Sequence, residues 1–277
     1  MPLSISTNMA SLTAQRSFIN SNAALETAFE RLSTGKRING AGDDAAGLAI
    51  ATDLSSRVSG LNQAVRNVND GISMVQIVDG AYDEVTSILQ RMRDMAVQAA
   101  NGSLSATEKG YLETEKDKLV TAIDSALDQA KFATQDLVGD AGSGISVSIQ
   151  AGANTGDVIS VTLSTDNAGD ASNMGVGANL MDLTSQGTAA IALVDVALGY
   201  VATQRATLGA HQAQLESTVR NLSNVAENTA AAAGRIMDTD YAAETANLTK
   251  AQILQQAATS VLAQANAQPQ SVLSLLQ

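Results

Sequence analysis

The chain has no cysteine, no tryptophan and only two prolines among its 277 residues. The absence of cysteine excludes disulfide bonds, thiol catalysis and zinc sites built on cysteine. Because Pro2 and Pro269 stand near the ends, the long stretch between them favours helices that no proline interrupts. Aromatic residues amount to 3% of the chain, so surfaces that bind by aromatic stacking are not expected either.

Positive charge and long apolar runs are also scarce. The chain has 28 acidic and 16 basic residues, a net charge of −12, which repels phosphate backbones and argues against nucleic acid as a partner. No apolar run approaches the length that crosses a bilayer, so membrane insertion is not expected. The opening residues, MPLSISTNMASLTAQRSF, lack the basic start and apolar centre of a secretory signal, so no cleaved leader is expected.

Histidine occurs once, at His211, which leaves few groups for an active site. An HExxH or histidine-rich metal site needs further histidines, and no serine–histidine–aspartate triad is expected. The segment TGKRINGAG contains glycines but follows no predicted strand, so it does not fit a phosphate-binding loop. We therefore predict that the protein is not an enzyme and has no catalytic, cofactor-binding or metal-binding site.

The strongest positive signal is a long heptad pattern. Between Leu54 and Ala99 the apolar residues alternate at spacings of four and three, which is typical of a coiled coil or a long bundle helix. A capping box from Ser105 to Glu108 starts a second helix, which folds back along the first and stops near Phe132. A third segment returns to the same spacing later in the chain. The predicted helices cover 54–99, 105–131 and 189–236 and form a rod-like bundle.

The stretch from about 139 to 188 has a different composition, rich in glycine, serine, asparagine and aspartate. Within it, apolar residues alternate with serine and threonine from Ile145 to Ile149 and again around Val161. Alternation with a period of two is the pattern of a half-buried strand. The sequence therefore predicts a β-hairpin with its loop around 151–157.

Both ends of the chain are moderately apolar and almost free of charge. Arg16 is the one charged residue in 1–25, and 251–277 contains none. Apolar residues recur at helical spacing in both segments, so a pair of such helices would expose apolar surface on its outside. Further copies of the chain could cover that surface without like-charge repulsion and extend a filament. The alternative is that the two ends pair and simply complete the bundle of one molecule.

Longer segments near both ends go beyond periodicity. The N-terminal signature of bacterial flagellin is similar to three of them, ERLSTGKRINGAGDDAAGLAIA (30–51), GLNQAVRNVNDGISMVQIVDGA (60–81) and LQRMRDMAVQAANG (89–102). The flagellin C-terminal signature resembles RATLGAHQAQL, GRIMDTDYAAE and QILQQAATSVLAQANAQPQSVLSLL. The resemblance covers roughly 1–138 and 189–277, and the short middle implies a flagellin without large outer domains.

The resemblance implies a mainly α fold, a long antiparallel helical bundle or coiled coil with a small β-hairpin insertion. Residues 1–44 and 235–277 would be terminal helices forming a coiled-coil inner polymerisation domain. Residues 45–234 would form the outer rod, with the hairpin region at about 139–188. The implied function is a structural subunit of the extracellular flagellar filament used for swimming, exported without a cleaved signal peptide. A hook–filament junction protein of the same family and a monomeric secreted helical binding module or adhesin are alternatives.

Three groups of residues are expected to carry this function. The self-assembly group combines apolar patterning with the resemblance and comprises Ile5, Met9, Leu12, Ile19, Leu254, Ala258, Val261, Leu262, Leu273 and Leu276. The group expected to form a spoke between the domains comprises Arg31, Lys36, Arg37, Asp43 and Asp44. The group implied to form a subunit-packing face, which an innate immune receptor also reads, comprises Gln90, Arg91, Met95 and Glu115. The expected partners are further copies of the chain, flagellar junction, cap and export-chaperone proteins, and a host innate immune receptor.

Overall fold

The computed structural model describes residues 8–138, 144–164, 171, 174, 176–177, 182–184 and 187–274, without the side chains of 187 and 268–274. Within this part the helices are α1 (Met9–Thr34), α2 (Ala45–Ala99), α3 (Ala106–Asp128), α4 (Gly187–Met237) and α5 (Tyr241–Ser274). Two separate antiparallel pairs of strands complete it, β1 (Lys131–Phe132) with β2 (Gln135–Asp136) and β3 (Ile145–Gln150) with β4 (Val158–Ser164). The prediction of a mainly α fold with a small β-hairpin insertion is confirmed.

The chain divides into two compact units. The terminal unit consists of Met1–Ser56 with Asn228–Gln277, and the central unit consists of Arg57–Glu227. Both boundaries fall inside long helices, one within α2 and the other within α4. The functional boundaries expected at 44/45 and 234/235 stay predictions.

The core of the central unit follows the predicted heptad frame. Side chains of α2 at Val68, Val75, Tyr82 and Leu89 are fully buried, because each successive frame position returns to the same face of the helix. Helices α3 and α4 and the hairpin supply other parts of this core, which include Val120, Ile123, Leu127, Ile149, Val161, Leu163, Val194, Val201, Leu208 and Leu215. The pattern read from the sequence thus identifies the buried face of the central unit.

The start and the end of α3 have local causes. Ser105 Oγ accepts a hydrogen bond from the Glu108 amide at 3.3 Å, and the Glu108 carboxylate accepts one from the Ser105 amide at 2.8 Å. This reciprocal pair is the predicted capping box. The helix ends at Asp128, earlier than the expected stop near Phe132, because Lys131–Phe132 pairs as a strand with Gln135–Asp136.

The larger hairpin has the predicted strands and the predicted loop at 151–157. It lies on α2 where that helix has glycines outside the heptad frame. A Cβ at Gly71 would overlap Cδ1 of Ile149, and one at Gly60 would lie 2.9 Å from Cβ of Ala153. Asn67 also donates its side-chain N–H to the backbone oxygen of Gln150 at 3.3 Å. Gly60 and Gly71 therefore make room for the hairpin.

One helix of the described residues, α4, is long and apolar enough to cross a membrane, with a mean hydropathy of 1.2 in its most apolar window. The core helix of a water-soluble protein satisfies the same length and composition criteria. Here α4 contributes the buried residues Val194, Val201, Leu208 and Leu215 to the core of the central unit. The buried share of its most apolar window is 28%.

Candidate functional site: the terminal helix pair

In the terminal unit, α1 and α5 lie side by side and run in opposite directions. Near one end, Asn8 donates its side-chain N–H to the Ala265 backbone oxygen at 2.8 Å, and Ser11 Oγ donates to the Asn266 side-chain oxygen at 2.8 Å. Further along, Gln255 donates to the Asn22 side-chain oxygen at 2.6 Å. Residues near the start of α1 contact residues near the end of α5, and residues further along α1 contact earlier residues of α5, so the two helices are antiparallel. We call them the terminal helix pair.

The inner face of the terminal helix pair combines small, polar and large apolar residues. On α1 the buried residues are Ser11, Ala14 and Ala28, and Phe18, Leu25 and Leu32 are half-buried in the same frame. The buried and half-buried residues of α5 recur at spacings of four and three, at Glu244, Leu248, Ala251, Gln255, Ala258, Leu262 and Ala265. Alanine and serine let two helices approach closely, and paired polar side chains fix the register at the expense of stability.

Other large apolar side chains of the pair are exposed on its outside. We call six of them the outer apolar set: Met9 (65% exposed), Leu12 (51%), Ile19 (65%), Ile253 (61%), Leu254 (47%) and Val261 (55%). Some of them line an apolar groove of about 590 Å³ along one side of the pair, together with small residues; its walls include Met9, Thr13, Ser17, Leu254, Ala257 and Val261. Contiguous exposed apolar surface of this kind marks an interaction site in a water-soluble protein.

The predicted self-assembly residues divide between the two faces. Met9, Leu12, Ile19, Leu254 and Val261 belong to the outer apolar set. Two more are half-buried on the inner face towards α1, namely Ala258 and Leu262. The remaining three lie outside the described residues, Ile5 and Leu276 entirely and Leu273 in its side chain.

Sequence reasoning overlooked Ile253, a member of the outer apolar set. It is adjacent to the predicted Leu254, and its exposure of 61% exceeds that of its neighbour. The four–three frame of α5 runs through Ala251 and Gln255, so it leaves both Ile253 and Leu254 outside the inner face. Fixing the frame first would have identified Ile253.

The basic residues of the predicted spoke make mainly backbone contacts within the terminal unit. The Arg37 amide donates to the Met237 carbonyl at 2.6 Å, and the Arg37 guanidinium donates to the Ile236 carbonyl at 2.7 Å. Lys36 forms an isolated antiparallel bridge with Asp238. The segment after α1 is thereby joined to the segment before α5. Arg31 lies on the pair itself, 4.0 Å from the Glu244 carboxylate.

Gly35 allows the tight turn that starts this connection. Its φ of 70° is in the left-handed region, where a Cβ is strained, and it ends α1 as a C-cap. Its carbonyl accepts a hydrogen bond from the Thr239 amide at 3.0 Å. The hydroxyl of Tyr241 would lie 2.8 Å from a Cβ at this position. Glycine is therefore favoured here both by backbone conformation and by space.

The acidic spoke residues cap backbone amides rather than pairing with the nearby basic side chains. The Asp43 carboxylate accepts hydrogen bonds from the amides of Asn39 and Gly40, each at 3.0 Å. These bonds, and to a smaller extent the charge of Arg31, hold the pKa of Asp43 below its ordinary value. Asp44 accepts from the Gly47 amide at 2.8 Å and so caps the start of α2.

The third predicted group lies on the central unit and is partly exposed. Gln90, Arg91 and Glu115 have exposed side chains, and the Arg91 guanidinium pairs with the Glu115 carboxylate between α2 and α3. Met95 is 5% exposed and belongs to the core. The accessible part of this face therefore consists of Gln90, Arg91 and Glu115.

The central unit also has an interhelical ion-pair cluster that sequence reasoning did not find. Its basic residue, Arg205, lies on α4. Its guanidinium contacts the carboxylates of Asp79 at 2.9 Å and Asp83 at 2.7 Å on α2. These partners raise the pKa of Arg205, chiefly through the hydrogen bond to Asp79. Within the described residues, no group of three or more histidine, cysteine or acidic side chains could hold a metal ion.

Comparison with known proteins identifies the family. Residues 5–143 match the bacterial flagellin N-terminal helical region, and residues 191–276 match the bacterial flagellin C-terminal helical region. A flagellin of Halalkalibacterium halodurans is 43% identical over 275 residues, which cover 98% of this chain and 99% of that protein. Flagellin FlaB2 of Treponema pallidum is 38% identical over 288 residues, covering 98% of this chain and 99% of its own length.

A crystal structure of Bacillus cereus flagellin is also similar to the chain. It is 28% identical and covers 61% of this chain and 94% of its own, with a TM-score of 0.49. The two family matches lie at opposite ends of the chain, and the curated relatives match it over nearly its whole length. The chain belongs to the bacterial flagellin family and is a structural subunit of the flagellar filament.

Proposed function

We propose that subunits of this flagellin join through the outer apolar set of the terminal helix pair. One observation carries the proposal: after α1 and α5 have paired, the outer apolar set (Met9, Leu12, Ile19, Ile253, Leu254 and Val261) stays exposed on the outside of the pair. An isolated chain leaves that apolar area in water. A neighbouring copy would remove that area from water, which stabilises the contact by roughly 25 cal/mol for each Å² covered.

The geometry favours an open polymer over a closed dimer. Exposed apolar side chains lie on both helices, so neighbouring copies can bind on more than one side of the pair. When one patch meets a different patch of the next copy, the contact is heterologous, and repetition of it gives a helical array. The scarcity of charge on both terminal segments avoids repulsion between identical surfaces.

The contacts between α1 and α5 agree only in part with the alternative that the two ends complete the bundle of one molecule. The two ends do pair within one chain, as that alternative requires. Their pairing nevertheless leaves the outer apolar set exposed. A monomeric binding module would use that surface for a different partner, so seeded elongation distinguishes the module from a polymer subunit.

We extend the proposal to the other predicted groups. The inner polymerisation domain consists of 1–44 and 235–277. The hydrogen bonds between Lys36–Arg37 and Ile236–Asp238 join its two segments. The exposed face formed by Gln90, Arg91 and Glu115 serves packing between subunits and recognition by a host innate immune receptor. The absence of histidine pairs and of cysteine supports a subunit without catalytic activity.

Localisation and partners belong to the same proposal. The subunit acts in the extracellular filament, and we propose that it leaves the cell without a cleaved signal peptide. Junction, cap and export-chaperone proteins are its proposed partners besides further copies of itself. We propose that these proteins bind the same terminal segments, nearly free of charge, through which the subunits bind one another.

The test is seeded elongation of the full chain. Purified subunits are added to sheared filament seeds, and growth is measured by sedimentation and electron microscopy. Leu254→Asp introduces an unpaired charge into each subunit contact, which costs several kcal/mol, so we expect elongation to stop. The matched control is Leu254→Met, which keeps an apolar side chain of similar volume and should elongate like the unmodified chain.

A deletion gives a second, coarser test. Removal of 251–277 takes away most of α5 and should leave a folded central unit that adds to no filament. Circular dichroism checks that the central helices persist in each variant. Normal filaments from the deletion or from Leu254→Asp would overturn the proposed surface, and wild-type chains that stop at short oligomers would favour the junction alternative.

A further inference from the structure

We infer that Met9 is a site of reversible oxidation by peroxides, and that its oxidation state decides whether a free subunit can join the polymer. This inference rests on the proposed function, since it uses the same outer surface. Met9 is 65% exposed and is the first residue of α1. Its side chain lines the apolar groove together with Leu254 and Val261.

Exposure separates Met9 from the other methionines of the described residues. Met92, Met95 and Met174 are buried at 0%, 5% and 4% exposed, and Met74 and Met237 are half-buried. Oxidation of a thioether requires contact between the sulfur and the oxidant, so reactivity follows accessibility. The buried methionines provide an internal reference within the same chain.

The reaction needs only a peroxide as co-reactant. A lone pair of the Met9 sulfur attacks one peroxide oxygen, the O–O bond breaks and an S–O bond forms, while the other oxygen leaves as water after proton transfer. The sulfur is oxidised by two electrons and the peroxide is reduced by two. Methionine sulfoxide reductases reverse this step, so the modification is not terminal.

Oxidation changes the surface that polymerisation uses. The sulfoxide oxygen is a strong hydrogen-bond acceptor, whereas Leu254, Ala257 and Val261 across the groove offer only apolar side-chain atoms. On the same helix as Met9, the Thr13 hydroxyl already donates to the Met9 backbone oxygen at 2.8 Å. Covering the groove with a neighbouring copy would then desolvate a polar group against apolar side chains, which is unfavourable. In the assembled filament the same sulfur is covered, so oxidation acts on free subunits before they join.

The experiment treats free subunits and filaments with hydrogen peroxide and follows each methionine by peptide mass spectrometry. We expect Met9 to oxidise at least about tenfold faster than Met92 and Met95 in the free subunit. Filaments should show a slowed reaction at Met9. Equal reactivity of Met9 and the buried methionines, or equal reactivity in subunit and filament, would overturn the inference.

Seeded elongation then measures the consequence. Peroxide-treated wild-type subunits should elongate at least about tenfold more slowly than untreated ones, with recovery after treatment by a sulfoxide reductase. The control Met9→Leu keeps an apolar side chain and every other methionine, so peroxide should leave its elongation rate unchanged. Equal losses in wild type and Met9→Leu would assign the effect to other residues and overturn the inference. Failure of untreated wild type to elongate would instead overturn the proposed function, while the mass measurement still decides whether Met9 is the reactive site.

Discussion

The two compact units differ in how much of their apolar surface one chain covers. In the central unit, large side chains such as Tyr82, Leu89 and Met92 are fully buried in a continuous core. In the terminal unit, the contact between α1 and α5 includes many small and polar residues, and residues such as Ile19 and Leu254 stay exposed. The central unit exposes some large apolar side chains as well, whereas the terminal helix pair combines them with the apolar groove described above.

This difference teaches how a heptad pattern should be interpreted. In both units an apolar frame faces inward, but in the terminal helix pair further large apolar residues lie outside that frame and stay exposed. Helix pairs hold together through close approach of small residues as well as through burial of large ones. The large residues are then available for another copy. The following predictions test this division from the largest expected effect to the smallest.

The first prediction applies the same truncation to both units. Leu89→Ala leaves a cavity in the central core and should lower the free energy of unfolding by about 2–5 kcal/mol. Leu254→Ala removes an exposed side chain and should change that free energy by no more than about 0.5 kcal/mol, while it slows seeded elongation. Urea unfolding of the free subunit and seeded elongation are the two measurements. A stability loss at Leu254 comparable to that at Leu89 would abolish the distinction between the units.

The second prediction concerns the fit of the hairpin on α2. Gly71→Ala places a methyl group against Ile149 and should destabilise the central unit by about 1–3 kcal/mol. Ile149→Val removes the overlapping Cδ1 and should recover part of that loss in the double variant.

The matched control for Gly71 is Gly80, which has no neighbouring atom within 4 Å of a built Cβ. Gly80→Ala should therefore stabilise the helix by about 0.5–1 kcal/mol through reduced backbone entropy. Thermal unfolding compares the variants. Equal effects at the two glycines would show that the hairpin does not lie on Gly71.

The third prediction uses alkaline pH to probe the buried core. Burial raises the pKa of the Tyr82 phenol above its ordinary value of 10.0, and neighbouring Tyr200 raises it further. The unfolded chain therefore ionises first, so the stability of the central unit is full below pH 10.0 and is lost progressively above it.

Tyr82→Phe removes this ionisation and should flatten the alkaline loss of stability. Within the described residues the Tyr82 hydroxyl has no hydrogen-bond partner, so its removal should also stabilise the unit by about 1 kcal/mol at neutral pH. Urea titrations from pH 8 to 11 measure both effects. The same alkaline slope in both proteins would mean that Tyr82 is not the group responsible.

The smallest expected effect is at the exposed ion pair of Arg91 and Glu115. Both side chains are accessible to solvent, so a double-mutant cycle with alanine should give a coupling energy of about 0.2–1 kcal/mol that weakens with salt. A larger and salt-independent coupling would show that this face supports the fold and is not reserved for partners.

Periodicity and capping allowed much of the fold to be predicted. The frame through Val68, Val75, Tyr82 and Leu89 identified the buried face of α2, because a heptad repeat leaves one choice of face. The capping box fixed the start of α3. The end of that helix could not be predicted, because the pairing of β1 with β2 competes with one more helical turn.

The arrangement of the candidate site was harder to predict. Met9, Leu12 and Ile19 were expected to carry self-assembly, but the sequence did not identify the inner frame, which runs through Ser11, Ala14 and Phe18. Apolar periodicity ranks faces by hydrophobicity and does not distinguish burial within a chain from burial between chains. The role of Gly60 and Gly71 could not be predicted for a similar reason, since the hairpin that contacts them is distant in sequence.

The central claim is tested most directly by side-chain footprinting of the free subunit and the filament under identical labelling conditions. A small diffusible carbene labels aliphatic side chains in proportion to their accessibility, and peptide mass spectrometry locates the label. Ile19, Ile253, Leu254 and Val261 should be labelled in the free subunit and protected in the filament, while Leu89 is protected in both. Undiminished labelling of these four residues in the filament would contradict the account.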